Sequence, residues 1–325
     1  MDNKVKTHDQ APQESRRLKL ILALAAALTW PLAWLPAPLG LAWGAAAGRL
    51  VFRFWARRRR IAVANIEMIK EAGGLPADLP AEKTAREAFA NLGRSGWETI
   101  AYYHRGLKPF WDYCHVEEGR EILEKALAEA RLAGRGLMLV TGHIGSWELI
   151  CHYLPQAFDT SLTVIGRMSG RAWLDALVAR ERTMGGNGFI SKSGGAREMI
   201  KELKSGGVLG TLIDQAAIGD SSGVSLPFLG LTAVTNLGPL RLARRTGAQV
   251  IMTLFHREGR HNYMKVFPLL EPRDDLPPEE ALAAEGRQLN DWLGEHIQKY
   301  PDQWMWGHRR WKTRQGVIKN PDSLT

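Results

Sequence analysis

Cysteine is scarce in this chain, with Cys114 and Cys151 the two in 325 residues. Two thiols make no disulfide scaffold, so the fold must rest on a packed core, and a reducing, cytosolic setting fits. Each Cys is followed by His, yet the CxxC and HxxxH spacings of zinc sites are missing. Adjacent residues rarely aim at one ion, so neither metal nor cofactor is expected. Acidic residues are also in short supply, 34 Asp+Glu against 43 Lys+Arg, for a net charge of +9. Such an excess suits nucleic acid, anionic lipid or an acidic protein, and the placement of the charges must decide. Repeats and low-complexity tracts are absent. With 45% hydrophobic and 24% charged residues, disorder is not the default reading and the chain is long enough for a substantial core. What is plentiful is Trp, at 12 residues. Its ring is apolar and its N–H wants a polar partner, which favours membrane–water interfaces as well as cores.

Residues 1–17 are polar. From Leu18 to Leu50 the charges are Lys19 and Arg49 alone, a stretch too long and too apolar for an ordinary surface helix. A cleaved signal peptide would have a shorter apolar region, and Pro31, Pro36 and Pro38 argue against a buried core helix. A single transmembrane helix is preferred. A re-entrant helical hairpin turning at Leu35-Pro36-Ala37-Pro38 is the alternative. Arg53 and Arg57 to Arg60 follow the run, interleaved with Phe52, Phe54 and Trp55, as in a helix lying on anionic headgroups. The positive-inside rule places everything after residue 50 in the cytoplasm. The organisation expected is a tail over 1–17, a membrane anchor over 18–52 and a catalytic domain over 53–325.

Residues 61–133 read as helical, with a loop from Gly73 to Pro80. At 134 the texture changes. Short apolar runs at Leu137–Thr141, Leu162–Ile165, Val208–Ile213 and Gln249–Phe255 read as strands buried on both faces. Helical patterns over 146–156, 170–184, 194–205 and 236–246 separate them. A strand near 262–268 and a helix near 278–300 complete the domain. Strand alternating with helix predicts an α/β fold with a mostly parallel central sheet flanked by helices.

The first run leads into Gly142-His143-Ile144-Gly145-Ser146-Trp147-Glu148. Ligands of open α/β sheets bind beyond the carboxyl ends of strands, where His143 sits. Gly142 and Gly145 permit a sharp turn, and Ser146 fits the N-cap of the next helix. On one helix, residues five apart point roughly 140° away from each other. Across a strand–turn–helix junction His143 and Glu148 can meet, the imidazole as base and the carboxylate as its orienting partner. The competing reading is a loop His with Glu148 merely favouring a helix dipole. Arg167, with Gly166 before it, lies at another strand end, suited to an anion. Asp214 serves either as a group near the dyad or as a helix cap.

The heptapeptide Gly142 to Glu148 is similar to the HxxxxE/D signature of the bacterial lipid A biosynthesis late acyltransferases, lauroyl/myristoyl transferases of the wider glycerolipid acyltransferase superfamily. Further features stand in family order. They are the apolar N-terminal run followed by a basic segment and Asn65, then Asp214-Gln215, then Pro227-Phe228-Leu229-Gly230 with Ala233 and Thr235, and last Tyr300 to Lys312. The resemblance covers about residues 18–315. It departs at Ser146, where Asn is common, at Leu229, where a second Phe is common, and at Ala216, where another polar residue is common. It implies a glycerolipid-acyltransferase-like fold at the bacterial inner membrane, catalytic domain on the cytoplasmic face. His143 would be the general base and Glu148 its partner. Arg167, Asp214 and Gln215 would bind substrate. The donor would be acyl-carrier protein or acyl-CoA, and the acceptor a hydroxyl of a lipid A precursor. Another lipid acceptor (a glycerophospholipid, an ornithine lipid or a phosphatidylinositol mannoside) and a non-catalytic membrane-binding relative are the alternatives.

Trp304, Trp306 and Trp311 crowd with His308, Arg309, Arg310, Lys312 and Arg314. Stacking on single-stranded nucleic acid would need a nucleic-acid-binding motif, and none is present. Most of these Trp residues are expected to pack on the domain. Arg309 and Arg310 are expected to contact substrate or lipid, or to bridge to internal carboxylates.

Overall fold

The computed structural model describes residues 16–166, 169–192, 194–215 and 223–311. The apolar N-terminal run forms two 18-residue helices, α1 (Arg16–Ala33) and α2 (Ala37–Phe54), joined by a turn at 34–36. Pro36 breaks the run: proline lacks the N–H a continuing helix needs and pushes the residue before it out of the helical region. Pro31 is tolerated inside α1. The single span expected from the sequence is therefore corrected to a helical hairpin. Among the described residues no helix is long and apolar enough to cross a membrane.

The hairpin lies on α4 (Ala81–Arg105), which follows α3 (Ala56–Glu71). Gly40, Gly44 and Gly48 form a seam on α2 that lets the backbones close. A Cβ on Gly48 would lie 2.0 Å from the Phe89 carbonyl oxygen, and one on Gly44 2.5 Å from that of Gly93. The last carbonyls of α1 find donors on α4, Trp97 Nε1 to Leu32 at 2.8 Å and Arg105 Nη1 to Ala33 at 3.2 Å. These bonds satisfy groups that a helix end leaves unpaired. Leu24, Leu28, Trp30, Trp34 and Trp43 remain exposed.

The α/β body alternates as expected. After β1 (Cys114–Glu118) come α5 (Arg120–Ala133), β2 (Leu137–Thr141), α6 (Ile150–Phe158), β3 (Leu162–Gly166), α7 (Ala172–Arg182), β4 (Gly188–Ser191), α8 (Ala196–Lys204) and β5 (Val208–Leu212). A hairpin of β6 (Gly223–Phe228) and β7 (Leu231–Asn236), then α9 (Gly238–Thr246), β8 (Gln249–Glu258), β9 (His261–Leu269) and α10 (Pro278–Lys299), complete it. The seven-stranded sheet has the order β1-β9-β8-β2-β5-β3-β4 and is parallel except for the β8–β9 pair. β2 is buried throughout. Leu137 and Leu139 face one core with Leu123, Leu127 and Leu154, while Met138 and Val140 face the other with Leu203, Leu240 and Leu293.

Three features differ from the sequence reading. β1 interrupts the stretch read as helical; it is a five-residue edge strand with a half-exposed pattern, which periodicity does not reveal. β4 is shorter still. The segment 223–236 forms an antiparallel hairpin outside the main sheet, turning at Leu229 (φ 50°) and Gly230 (φ 79°). Two positive φ values at the centre of a two-residue turn match the twist of the strands they join.

Candidate functional site

The site forms at the carboxyl ends of β2 and β5, and the sheet register builds it. Parallel pairing sets Thr141 opposite Leu212, so two residues further on His143 meets Asp214. Asp214 Oδ1 lies 2.7 Å from His143 Nδ1. Its Oδ2 accepts from the His143 backbone N–H at 2.8 Å and from Trp304 Nε1 at 2.9 Å. Burial pushes the Asp214 pKa up. The facing His143 charge and these donors outweigh it and hold the carboxyl well below its usual range. An ionised carboxylate at Nδ1 favours the tautomer with its proton there and leaves Nε2 as the acceptor. Gln215 Nε2 lies 3.2 Å from that Nε2 and 3.3 Å from His308 Nε2. Burial, and then the neighbouring His143, push the His308 pKa down to about 4.

Glu148 does not carry the expected contact. It pairs with Arg182, whose Nη2 lies 2.5 Å from Oε1 and whose Nε lies 3.1 Å from Oε2. Trp147, edge-on to His143 with ring centroids 5.2 Å apart, donates its Nε1–H to Glu148 at 3.2 Å. Of the residues singled out from the sequence, His143, Asp214 and Gln215 come together. Of the two readings of Asp214, the group beside His143 is the one observed. Arg167 lies outside the described residues, as do Ala216, Lys312 and Arg314.

Arg310 is fully buried. It donates to the Val234 carbonyl at 2.6 Å and to Thr235 Oγ1 at 2.9 Å, with its guanidinium 4.9 Å from the Phe228 ring centroid. It anchors the β6–β7 hairpin, and in place of the expected bridge to internal carboxylates its acceptors are a backbone carbonyl and a hydroxyl. Trp304, Trp306 and Trp311 are buried beside it, so they pack on the domain as expected. Asn65 pins this segment, its Nδ2 reaching the Trp306 and His308 carbonyls at 2.7 Å each. Ser146 makes no N-cap bond and turns its hydroxyl towards α4. The Ile144 and Gly145 backbone N–H groups donate to the Gly142 and Gln303 carbonyls.

A cavity of about 230 Å³ is lined in part by Trp147 and His308, whose rings neighbour that of His143. Val51, Trp55, Phe89 and Leu92 line it together with Trp147, Trp304 and His308. Its walls are mostly apolar and large enough for part of an alkyl chain. Cys114 and Cys151 are buried, free and protonated; burial pushes Cys114 up to about 12. Neither is poised as a nucleophile. Arg182, His308 and Trp304 escaped the sequence reading as individual site residues, because their roles depend on pairings across the sheet end.

The chain matches the model of the bacterial lipid A biosynthesis acyltransferases over residues 10–313. It is 25% identical over 295 residues to the lipid A biosynthesis lauroyltransferase of Escherichia coli, covering 90% of this chain and 91% of that protein. It is 26% identical to the lipid A biosynthesis palmitoleoyltransferase of the same organism, with 88% and 89% covered. A phosphatidylinositol mannoside acyltransferase of Mycobacterium tuberculosis is 26% identical over 229 residues, 69% of this chain and 68% of that protein.

Proposed function

The chain belongs to the bacterial lipid A biosynthesis acyltransferase family, and on that premise we propose that it moves a fatty acyl group from a thioester to a hydroxyl of a lipid A precursor, with His143 as general base. It is an acyltransferase of lipid acceptors; the base, the donor and the particular acceptor are our assignment. The observation that carries it is the 2.7 Å contact between His143 Nδ1 and buried Asp214, which leaves Nε2 at the site mouth. Nε2 takes the proton of the acceptor hydroxyl as its oxygen attacks the thioester carbonyl. The tetrahedral intermediate then expels the thiolate, which receives that proton from His143. Asp214 stabilises the imidazolium formed in between. Glu148, held by Arg182, is the second carboxylate at this end of the sheet. Gln215, whose amide occupies the place a hydroxyl would take, marks the acceptor oxygen. Arg309 and Arg167 are assigned to substrate contact through their charge.

The apolar cavity takes the acyl chain. The exposed apolar face of the hairpin and the exposed Arg53, Arg57 and Arg60 seat the protein on an anionic membrane surface, the cytoplasmic face of the inner membrane. The same basic residues suit an acidic donor such as acyl-carrier protein, with acyl-CoA the other donor. A phosphatidylinositol mannoside is the second acceptor reading, because the mycobacterial relative is as similar in identity as the two from Escherichia coli.

Mass spectrometry of lipids from cells with and without the gene tests the reaction. The expected result is a lipid A species heavier by one fatty acyl group when the gene is present, lost with His143→Ala at unchanged protein level. A mass shift confined to another lipid would overturn the acceptor. Full activity in His143→Ala would overturn the base.

A further inference from the structure

Packed against the His143 turn at Gly145 and Ser146 lies a buried polar cluster that the reaction above does not use. Arg257, near the end of β8, is clasped by Glu98 of α4, with Nη1 to Oε1 at 2.8 Å and Nη2 on Oε2. Both side chains are almost wholly buried. Asn262 of β9 donates to Glu98 Oε1 at 2.8 Å, and Arg257 Nε donates to Asn91 Oδ1 at 3.2 Å. The cluster reaches the catalytic turn at two points. Ser146 Oγ donates to Glu98 Oε2 at 2.6 Å and accepts from Arg257 Nη2 at 2.5 Å. The Gly145 carbonyl accepts from Ser95 Oγ at 3.0 Å. Gln303 completes the ring. Its side chain brackets the Arg257 backbone, accepting from the N–H at 2.8 Å and donating to the carbonyl at 2.9 Å, while its own carbonyl accepts from Gly145 N–H at 3.2 Å. The next residue, Trp304, is the one that donates to Asp214.

A buried ion pair is weak evidence for stability, because desolvating both charges offsets much of their attraction. Its strength here lies in direction. A guanidinium is a rigid fork, and a carboxylate offers fixed acceptor positions, so the pair holds geometry that a flexible apolar contact would not. Gly145 sits at φ 59°, and a Cβ there would lie 2.5 Å from the Phe255 carbonyl oxygen, so the turn is also tight against β8. We propose that the Glu98–Arg257 pair, bolted to the turn through Ser146, is the positioning device that sets His143 for catalysis. Glu98, Arg257 and Ser146 are positioning residues, since they act through the turn. The inference rests on His143 being the base.

Steady-state kinetics with lauroyl-acyl-carrier protein as donor and a lipid A precursor as acceptor test it on the full-length protein. Ser146→Ala removes the bolt and leaves the ion pair intact. Its kcat is expected to fall about tenfold or more, as a misplaced catalytic group loses rate, with the donor KM and the denaturation midpoint unchanged. Arg257→Lys keeps the charge and loses the fork, and should lose kcat likewise. Should Arg257→Lys fail to fold, Ser146→Ala decides alone. Parental kcat in Ser146→Ala, or a fall in KM and stability with kcat kept, would overturn the positioning role. His143→Ala in the same assay separates the two readings: if that variant stays active, the assignment of the base fails and not only this inference.

Discussion

At Asp214 a buried carboxylate keeps its charge because three N–H groups point at it, two from His143 and one from Trp304. Asp214→Asn replaces an acceptor-only group by one that must also donate. We expect kcat to fall by roughly 10²–10⁴, the range for a base in the wrong tautomer or without its partner. The downfield Nδ1 proton resonance of His143 should vanish in Asp214→Asn and survive in Glu148→Gln; loss in Glu148→Gln alone would restore Glu148 as the orienting group. A different chemistry governs the buried histidines. Burial lowers the pKa of His256 and His308 to about 4 each and that of His296 to about 3. An unfolded histidine titrates near about 6.5. Between those values the unfolded chain binds more protons than the folded one, so stability is complete above about pH 6.5 and falls as pH drops towards about 4. His256 stacks on Tyr300 at 4.0 Å, and neither of its ring nitrogens has a hydrogen-bond partner among the described residues. His256→Phe should therefore raise the denaturation midpoint at pH 5 more than at pH 7. An equal change at both would show that its titration contributes nothing.

The elements that hold the site come from distant parts of the chain. The β2–β5 register aligns His143 with Asp214, and the segment after α10 brings Trp304 onto Asp214 Oδ2. The helical hairpin depends on the glycine seam of α2 against α4. Gly48→Val should force the two apart, since its side chain would meet the Phe89 carbonyl. A lower thermal midpoint and faster proteolysis within α1 and α2 are expected; a variant as resistant as the parent would show that the seam is not close-packed. The same packing shows why removal of the N-terminal helices is a poor probe of membrane binding: it would strip the cover from α4. Substitutions on the outer face leave that cover in place.

At the scale of the molecule, most of the large apolar residues exposed among the described residues lie on the hairpin, and Arg53 and Arg57 to Arg60 follow at its end and the start of α3. Sedimentation with phosphatidylglycerol vesicles tests whether this face seats the protein. Binding is expected to weaken in high salt without vanishing, because both charge and apolar burial contribute. Replacing Leu24, Leu28, Trp30 and Trp34 together by Ser should abolish the salt-resistant part. Undiminished binding by that variant would place the contact elsewhere. The cavity is lined by Val51 and Trp55 near this face and by Trp147 and His308 next to His143, and on the proposed function it is the path an alkyl chain would take.

Much of this was legible in the residues themselves. The alternation of apolar runs with helical patterns determined the α/β class, because strands buried on both faces must be apolar throughout. The glycines around His143 marked a turn at a strand end. Those are local properties, carried by neighbours in the chain. The tertiary structure alone decided the partners. Which strand lies beside β2, and in which register, is set by how the whole sheet closes, so Asp214 and not Glu148 stands at His143. Likewise Arg310 was expected to contact substrate or lipid or to bridge to internal carboxylates, and only packing shows it donating to the Val234 carbonyl. Pro36 was visible from the start. That its break yields a packed hairpin and not a kinked span follows from the glycine seam, which means nothing until α4 is there to receive it.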